Sequence, residues 1–194
     1  LVRDLAYTEG ERPIVAQLFS ADPEKMEGAV KFVCTLGFDG IDINMGCPDR
    51  TIEKQGAGAA MIKDPERAIE VIRAAKRGII ASGKSIPLSV KTRVGYNQVQ
   101  LQEWIPMILR EGVDALTVHA RTRKDLSKVP ANWSYIKEVV KLRDAIAPET
   151  VIIGNGDVIS RADGIAKARE SGADGVMVGR ALFGNPWFFD PTRD

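Results

Sequence analysis

The stretch IDINMGCP, residues 41–48, begins as an apolar run and stops in turn chemistry. Ile41, Ile43 and Met45 make Ile41–Met45 a strand candidate, and Gly46 and Pro48 close it. Five other segments share this design: Ile14–Leu18 (IVAQL), Leu88–Thr92 (LSVKT), Ala115–His119 (ALTVH), Val151–Asn155 (VIIGN) and Gly175–Gly179 (GVMVG). Most read as apolar on both faces, the pattern of parallel strands covered on each side. A polar side chain stands at or just past each carboxyl end: Gln17, Asn44, Lys91, His119, Asn155 and Arg180.

Helical patterns fill the intervals. Asp22-Pro23 opens one with proline at its first position; Met26, Val30, Val33 and Cys34 form its apolar stripe, and Gly37 ends it. Asp64-Pro65 repeats the device, followed by Ile69, Ile72 and Ala75 up to Gly78. Ser160, with Asp163 three residues on, starts a helix that stops at Gly172, and Trp133, Ile136 and Val140 mark another. In Leu101–Gly112, Pro106 is expected to break or kink the helix.

Strands alternating with helices predict an α/β fold. A doubly wound open sheet brings together only residues near its switch point, whereas a (β/α)8 TIM barrel gathers every strand end at one mouth. The polar residues at all the strand ends favour the barrel. A barrel takes about 250 residues, so these 194 residues read as the third to eighth βα units, truncated at both ends. The start at Leu1, in mid-pattern, is expected of a piece of a longer chain.

The bulk composition narrows function mainly by exclusion. A net charge of +1 gives no large basic field, though a local patch remains compatible with it. Two cysteines without framework spacing argue against a secreted disulfide scaffold and suit a reducing cytoplasm. No apolar run approaches the roughly 20 residues of a membrane span.

Several side chains at the predicted mouth invite chemistry. Gly154-Asn155-Gly156-Asp157 and Gly179-Arg180 follow the last two strands, where glycine lets backbone N–H groups approach a phosphate and Arg180 adds a forked cation. The alternative is a pair of ordinary turns. Lys91 in an apolar strand is costly without an anionic partner, unless it reaches solvent at the rim. Gln17 fits a donor and acceptor for a polar ring edge, or a capped strand end. His119 is the chain's single histidine; a lone histidine is commonly structural, but its strand-end position before Arg121 and Arg123 favours function. With Arg93, those arginines are either solvated loop charges or cations around a mouth that receives RNA. Cys34 lies on an apolar helix face and reads as a small core residue. Cys47 has no partner with metal-ligand spacing and no neighbouring histidine base. A free thiol is mostly protonated at neutral pH, so it can serve as an acid.

Taken in order, QLFS, DINMGCP with GAGAAM, VKTRVG, VHARTR, GNGD and GVMVGRALFGNPW resemble the successive motifs of the tRNA-dihydrouridine synthases, over about Pro13 to Trp187. HAR stands where that family commonly shows HGR. The resemblance implies an FMN-binding TIM-barrel catalytic domain over residues 1–194, with the family's following helical tRNA-binding domain absent from this chain. It implies FMN contacts from Gln17, Lys91, His119, Asn155, Gly156, Asp157, Gly179 and Arg180, with Lys91 by the N1/O2 edge of the ring. Substrate contacts would come from Asn44, Arg93, Arg121 and Arg123. NADPH would reduce FMN, a tRNA uridine would be flipped over the flavin, and hydride would pass to C6 while Cys47 protonates C5. The glycines of GAGAAM suit a mobile loop that closes on the base. No metal, membrane or obligate protein partner is implied. Two other readings remain: an FMN barrel acting on a free pyrimidine or enone, and a flavin-free RNA-binding barrel.

Overall fold

The computed structural model describes residues 3–190 and 192. Six strands form one parallel sheet in strict chain order: β1 (Val15–Leu18), β2 (Gly40–Asn44), β3 (Leu88–Arg93), β4 (Ala115–His119), β5 (Val151–Asn155) and β6 (Gly175–Met177). A doubly wound sheet reverses its strand order. Here each strand pairs with the next without reversal, as in a barrel wall. The helices are α1 (Pro23–Cys34), α2 (Arg50–Lys54), α3 (Pro65–Ala81), α4 (Leu101–Arg110), α5 (Ser134–Ile146) and α6 (Arg161–Ser171).

The strands differ from the expected apolar-on-both-faces pattern. Ile41, Ile43, Val90, Leu116, Val118 and Ile152 are fully buried in the core that the sheet shares with the helices. The other face alternates with them and carries Gln17, Asp42, Asn44, Ser89, Lys91, Thr117, His119 and Asn155. Register aligns Asn44 with Lys91, Lys91 with Thr117, and His119 with Asn155, so these polar residues lie in neighbouring rows across the sheet.

Helix starts follow their caps. The Asp22 carboxylate accepts from the N–H groups of Glu24 and Lys25, Asp64 from that of Arg67, and Ser160 Oγ from that of Asp163. Gly172 closes α6 in the left-handed conformation at φ 77°. Three expectations fail. Gly78 does not end α3, which runs on to Ala81; a Cβ there would sit 2.6 Å from the carbonyl oxygen of Glu27, so the glycine lets α1 and α3 cross closely. Pro106 lies inside an uninterrupted α4, where Trp104, Ile105, Ile108 and Leu109 are buried around it. Packing outweighs the single hydrogen bond that proline removes.

The third correction concerns GAGAAM. Residues 57–62 are all buried, and Gly58–Lys63 form a tight 3-10 segment rather than a mobile loop. Ala59 N–H donates to the Cys47 carbonyl at 2.9 Å. Gly58 adopts φ +61°, and a Cβ on it would come within 2.7 Å of that same carbonyl. These glycines and alanines make room for a seat beneath Cys47. Among the described residues, no helix is long and apolar enough to cross a membrane.

Gly154 also owes its identity to packing. A Cβ there would lie 2.3 Å from the Trp133 ring, whose Nε1–H donates to the Gly156 carbonyl at 2.9 Å. Gly154→Ala is expected to push the indole off β5 and cost about 1–3 kcal/mol, as overpacking does. Urea unfolding of the variant against wild type measures this.

Candidate active site

A cleft of about 730 Å³ opens along the carboxyl ends of β3–β6. Lys91, His119, Asn155, Gly156, Asp157, Gly179 and Arg180 line it, joined by Arg121. The structure therefore brings together all the proposed cofactor contacts except Gln17, which sits across β2 beside Asn44. Cys47 follows β2 and lies within electrostatic reach of both Lys91 and Arg93.

Lys91 is partly buried, and among the described residues its ammonium makes no hydrogen bond or ion pair. Burial pushes its pKa down, nearby Arg93 does the same, and Asp42 and Cys47 oppose them. His119 is held more firmly. Burial first, then the cations Arg93, Lys91 and Arg121, push its pKa down to about 3. Arg121 Nη1 lies 3.2 Å from His119 Nε2. A guanidinium can only donate, so Nε2 accepts and the proton sits on Nδ1. The histidine is thus a neutral donor with a fixed tautomer.

This has a consequence for stability. The unfolded chain takes up a proton near the reference pKa of 6.5, while folded His119 stays neutral down to about 3. Stability should therefore fall with acid from about pH 6.5 towards pH 3, by up to ~1.4 kcal/mol per unit. His119→Gln should flatten that part of the curve, as read by urea unfolding at stepped pH.

Asp157 adopts a left-handed backbone at φ 50°, which turns its carboxylate back onto the cleft wall. It accepts from Arg121 Nη2 at 2.6 Å, from Ala131 N–H at 2.9 Å and from Arg180 Nη2 at 3.1 Å. Burial acts to raise its pKa, but the Arg121 and Ala131 hydrogen bonds hold it below the usual carboxylate range. Arg180 is exposed at the edge of the cleft and, among the described residues, tethered by this one contact. Among the described residues, nothing lies within 4 Å of a Cβ built on Gly179, so the backbone there is open to a ligand. Asn155 donates from Nδ2 to the Met177 carbonyl at 2.8 Å, joining the ends of β5 and β6.

The other arginines are placed differently from the expected free RNA contacts. Arg93 is 7 % exposed, with Nε donating to the Gly46 carbonyl at 2.7 Å and Nη1 to that of Thr122 at 3.1 Å. Arg121 is 4 % exposed and turned inward to His119, Asp157 and the Val129 carbonyl. Only Arg123 lies towards the rim. Its Nε donates to Glu53 on α2 at 2.9 Å, and its guanidinium stands 5.4 Å from the Tyr96 ring centre.

Two residues escaped the sequence reading. Asp42 is buried on the cleft-facing side of β2, accepting from Ser89 Oγ at 2.6 Å and Gln17 Nε2 at 2.8 Å. Its signal was present: a carboxylate between two isoleucines, two residues before Asn44 and hence on the same face. Glu53 gave none, since its partner Arg123 lies 70 residues away. Among the described residues, no cluster of His, Cys, Asp and Glu is arranged to hold a metal.

A parallel sheet in chain order, with polar side chains converging on a cleft at its carboxyl ends, defines a protein of the TIM-barrel class. The chain belongs to the dihydrouridine synthase (Dus) family, whose model matches residues 2–193. It is 43% identical over 187 residues to the probable tRNA-dihydrouridine synthase 2 of Bacillus subtilis (strain 168), covering 96% of this chain and 56% of that protein. A probable tRNA-dihydrouridine synthase of Staphylococcus aureus (strain COL) is 40% identical, with 96% of this chain and 55% of the relative covered. The chain thus spans about half the length of these curated relatives. Among solved structures, it resembles DHODH of Eimeria tenella in complex with ferulenol, with a TM-score of 0.59, 16% identity, and 83% of this chain and 49% of the other covered. Histamine dehydrogenase from Rhizobium sp. 4-9 gives a TM-score of 0.56 at 13% identity, over 86% of this chain and 26% of the other. At such identities the likeness is one of fold.

Proposed function

We propose that the full-length protein reduces uridine in tRNA to 5,6-dihydrouridine in the cytoplasm, with FMN as cofactor and NADPH as reductant. The observation that carries this reading is Lys91. Its ammonium is partly buried, without a hydrogen bond or ion pair among the described residues; it lines a cleft of about 730 Å³ and lies within electrostatic reach of Cys47. Such a cation suits a flat ligand that carries negative charge on one edge. The volume is within the range of cofactor sites, and the open backbone at Gly179 beside Arg180 suits a phosphate.

The residues present fit FMN. Lys91 and His119 Nδ1–H would face its ring, Gln17 its polar edge, and Asn155, Gly156, Asp157, Gly179 and Arg180 its phosphate end. Bound there, the flavin would supply the hydride for C6 of the uracil ring. Cys47 would give its thiol proton to C5, and water would restore that proton afterwards. Asn44 retains one amide N–H after its bond to Gln17, and that N–H would hold the base. Arg123, with Tyr96 and Lys63 beside it, would meet the RNA, while Arg93 and Arg121 brace the site from within.

The test is direct. Full-length protein with FMN, NADPH and unmodified tRNA transcript should yield dihydrouridine, quantified by nucleoside mass spectrometry. Reduction of free uracil but not of tRNA, or a protein that binds no FMN, would overturn the reading.

A further inference from the structure

We propose that Asp42 is a positioning residue that supplies the terminal acceptor for a hydrogen-bonded relay running from the β2 carboxylate through Gln17 and Asn44 to the backbone of Cys47. The relay deepens the function proposed above, and it rests on placing Cys47 in that chemistry.

The direction of the chain is forced from its backbone end. Gly46 N–H and Cys47 N–H both donate to Asn44 Oδ1, at 3.0 and 2.9 Å. Two donors on one atom leave no choice of amide orientation, so Nδ2 of Asn44 must face Gln17, where it donates to Oε1 at 2.9 Å. That in turn makes Nε2 the end that Gln17 presents to residue 42, at 2.8 Å from Oδ2. The relay therefore needs an acceptor there. Asp42 supplies one, and Ser89 Oγ–H, donating to Oδ1 at 2.6 Å, steadies the carboxylate from β3. Three adjacent strands are joined in this way, and both amides are held with one N–H each left without a partner among the described residues.

Chemistry at residue 42 distinguishes a relay from mere filling of space. Asparagine keeps an acceptor for Gln17 if its Nδ2 donates to Ser89 Oγ, since a hydroxyl can accept as well as donate. Leucine, of similar size, removes the acceptor. Gln17 then has reason to flip, Asn44 to follow, and the N–H groups of Gly46 and Cys47 to lose their partner. An unsatisfied polar group costs about 1–3 kcal/mol, equivalent to roughly 5- to 150-fold in an equilibrium.

The experiment compares Asp42→Leu and Asp42→Asn in the full-length, flavin-loaded protein. Two rates are read: iodoacetamide alkylation of Cys47, followed by peptide mass spectrometry with buried Cys34 as internal reference, and single-turnover oxidation of the reduced flavin by tRNA. With the loop released, Asp42→Leu should speed alkylation of Cys47 by about 5-fold and slow oxidation by tRNA by about 10- to 100-fold. Asp42→Asn should stay within about 3-fold of wild type in both. Equal damage from Asn and Leu, or no change in either rate with Leu, overturns the relay. If Asp42→Leu fails to fold, Asp42→Ala takes away the same acceptor without adding bulk. It should show the same losses; wild-type rates in both measurements overturn the relay. The alkylation rate does not depend on Cys47 acting as an acid, so loss of that role in a Cys47→Ala test would leave the relay standing.

Discussion

Cys47→Ala is expected to leave flavin binding unchanged and to lower dihydrouridine formation by at least about 100-fold, the lower range for removal of a general acid. The thiol is partly exposed above a buried seat, and its carbonyl is tied to Ala59 N–H at 2.9 Å. Alanine keeps that backbone geometry, so the proposed flavin site along β3–β6 should not sense the change. Without a proton for C5, hydride delivery to C6 would have to build up carbanion character with no partner. The measurement is single-turnover oxidation of reduced flavin by tRNA beside a fluorescence titration with FMN. An undiminished rate would remove Cys47 from the chemistry.

The second large effect is expected at Arg93. Arg93→Met keeps the length of the stem but strips donors from the carbonyls of Gly46 and Thr122, and from that of Leu126 at a longer 3.4 Å. Relief of a buried charge offsets part of this loss, leaving a net cost of about 3 kcal/mol. For a chain of this size that corresponds to roughly 6–12 °C in Tm. Because Gly46 precedes Cys47, turnover should fall as well. The salt dependence of tRNA binding should nonetheless keep its slope, since a buried arginine releases no counterion from RNA. A flattened slope with unchanged Tm would instead return Arg93 to the RNA-facing surface. Arg123→Met, at the rim, is the matching comparison.

Much of the site was legible because chemistry sits at strand ends, and strand ends are marked locally. Asn44, Lys91, His119 and Asn155 each terminate or nearly terminate an apolar run, and the cleft gathers the last three of them. What each arginine does was not legible. Arg93, Arg121 and Arg123 lie within a few residues of strand ends, yet one braces the Cys47 loop, one faces His119 and Asp157, and one pairs with Glu53. Gly46, Asp157 and Glu53, the partners that set these roles, come from other βα units, so no local pattern carries them. GAGAAM misled for a related reason: glycine and alanine read as freedom in isolation, but here they serve close packing under the Cys47 carbonyl.

The alternation of short strands with capped helices, and hence the α/β class, was determined by the sequence alone, because period, caps and turn residues act over a few neighbours. The same is true of the family motifs and of the polar strand ends. Tertiary structure decided which face of each strand is polar, the unreversed order β1 to β6, and the relay from Asp42 to Cys47. Those features depend on register between strands and, in the relay, on the bonds that join Gln17 to Asp42 and to Asn44, 25 and 27 residues away. Distances of that kind exist only once the sheet has formed.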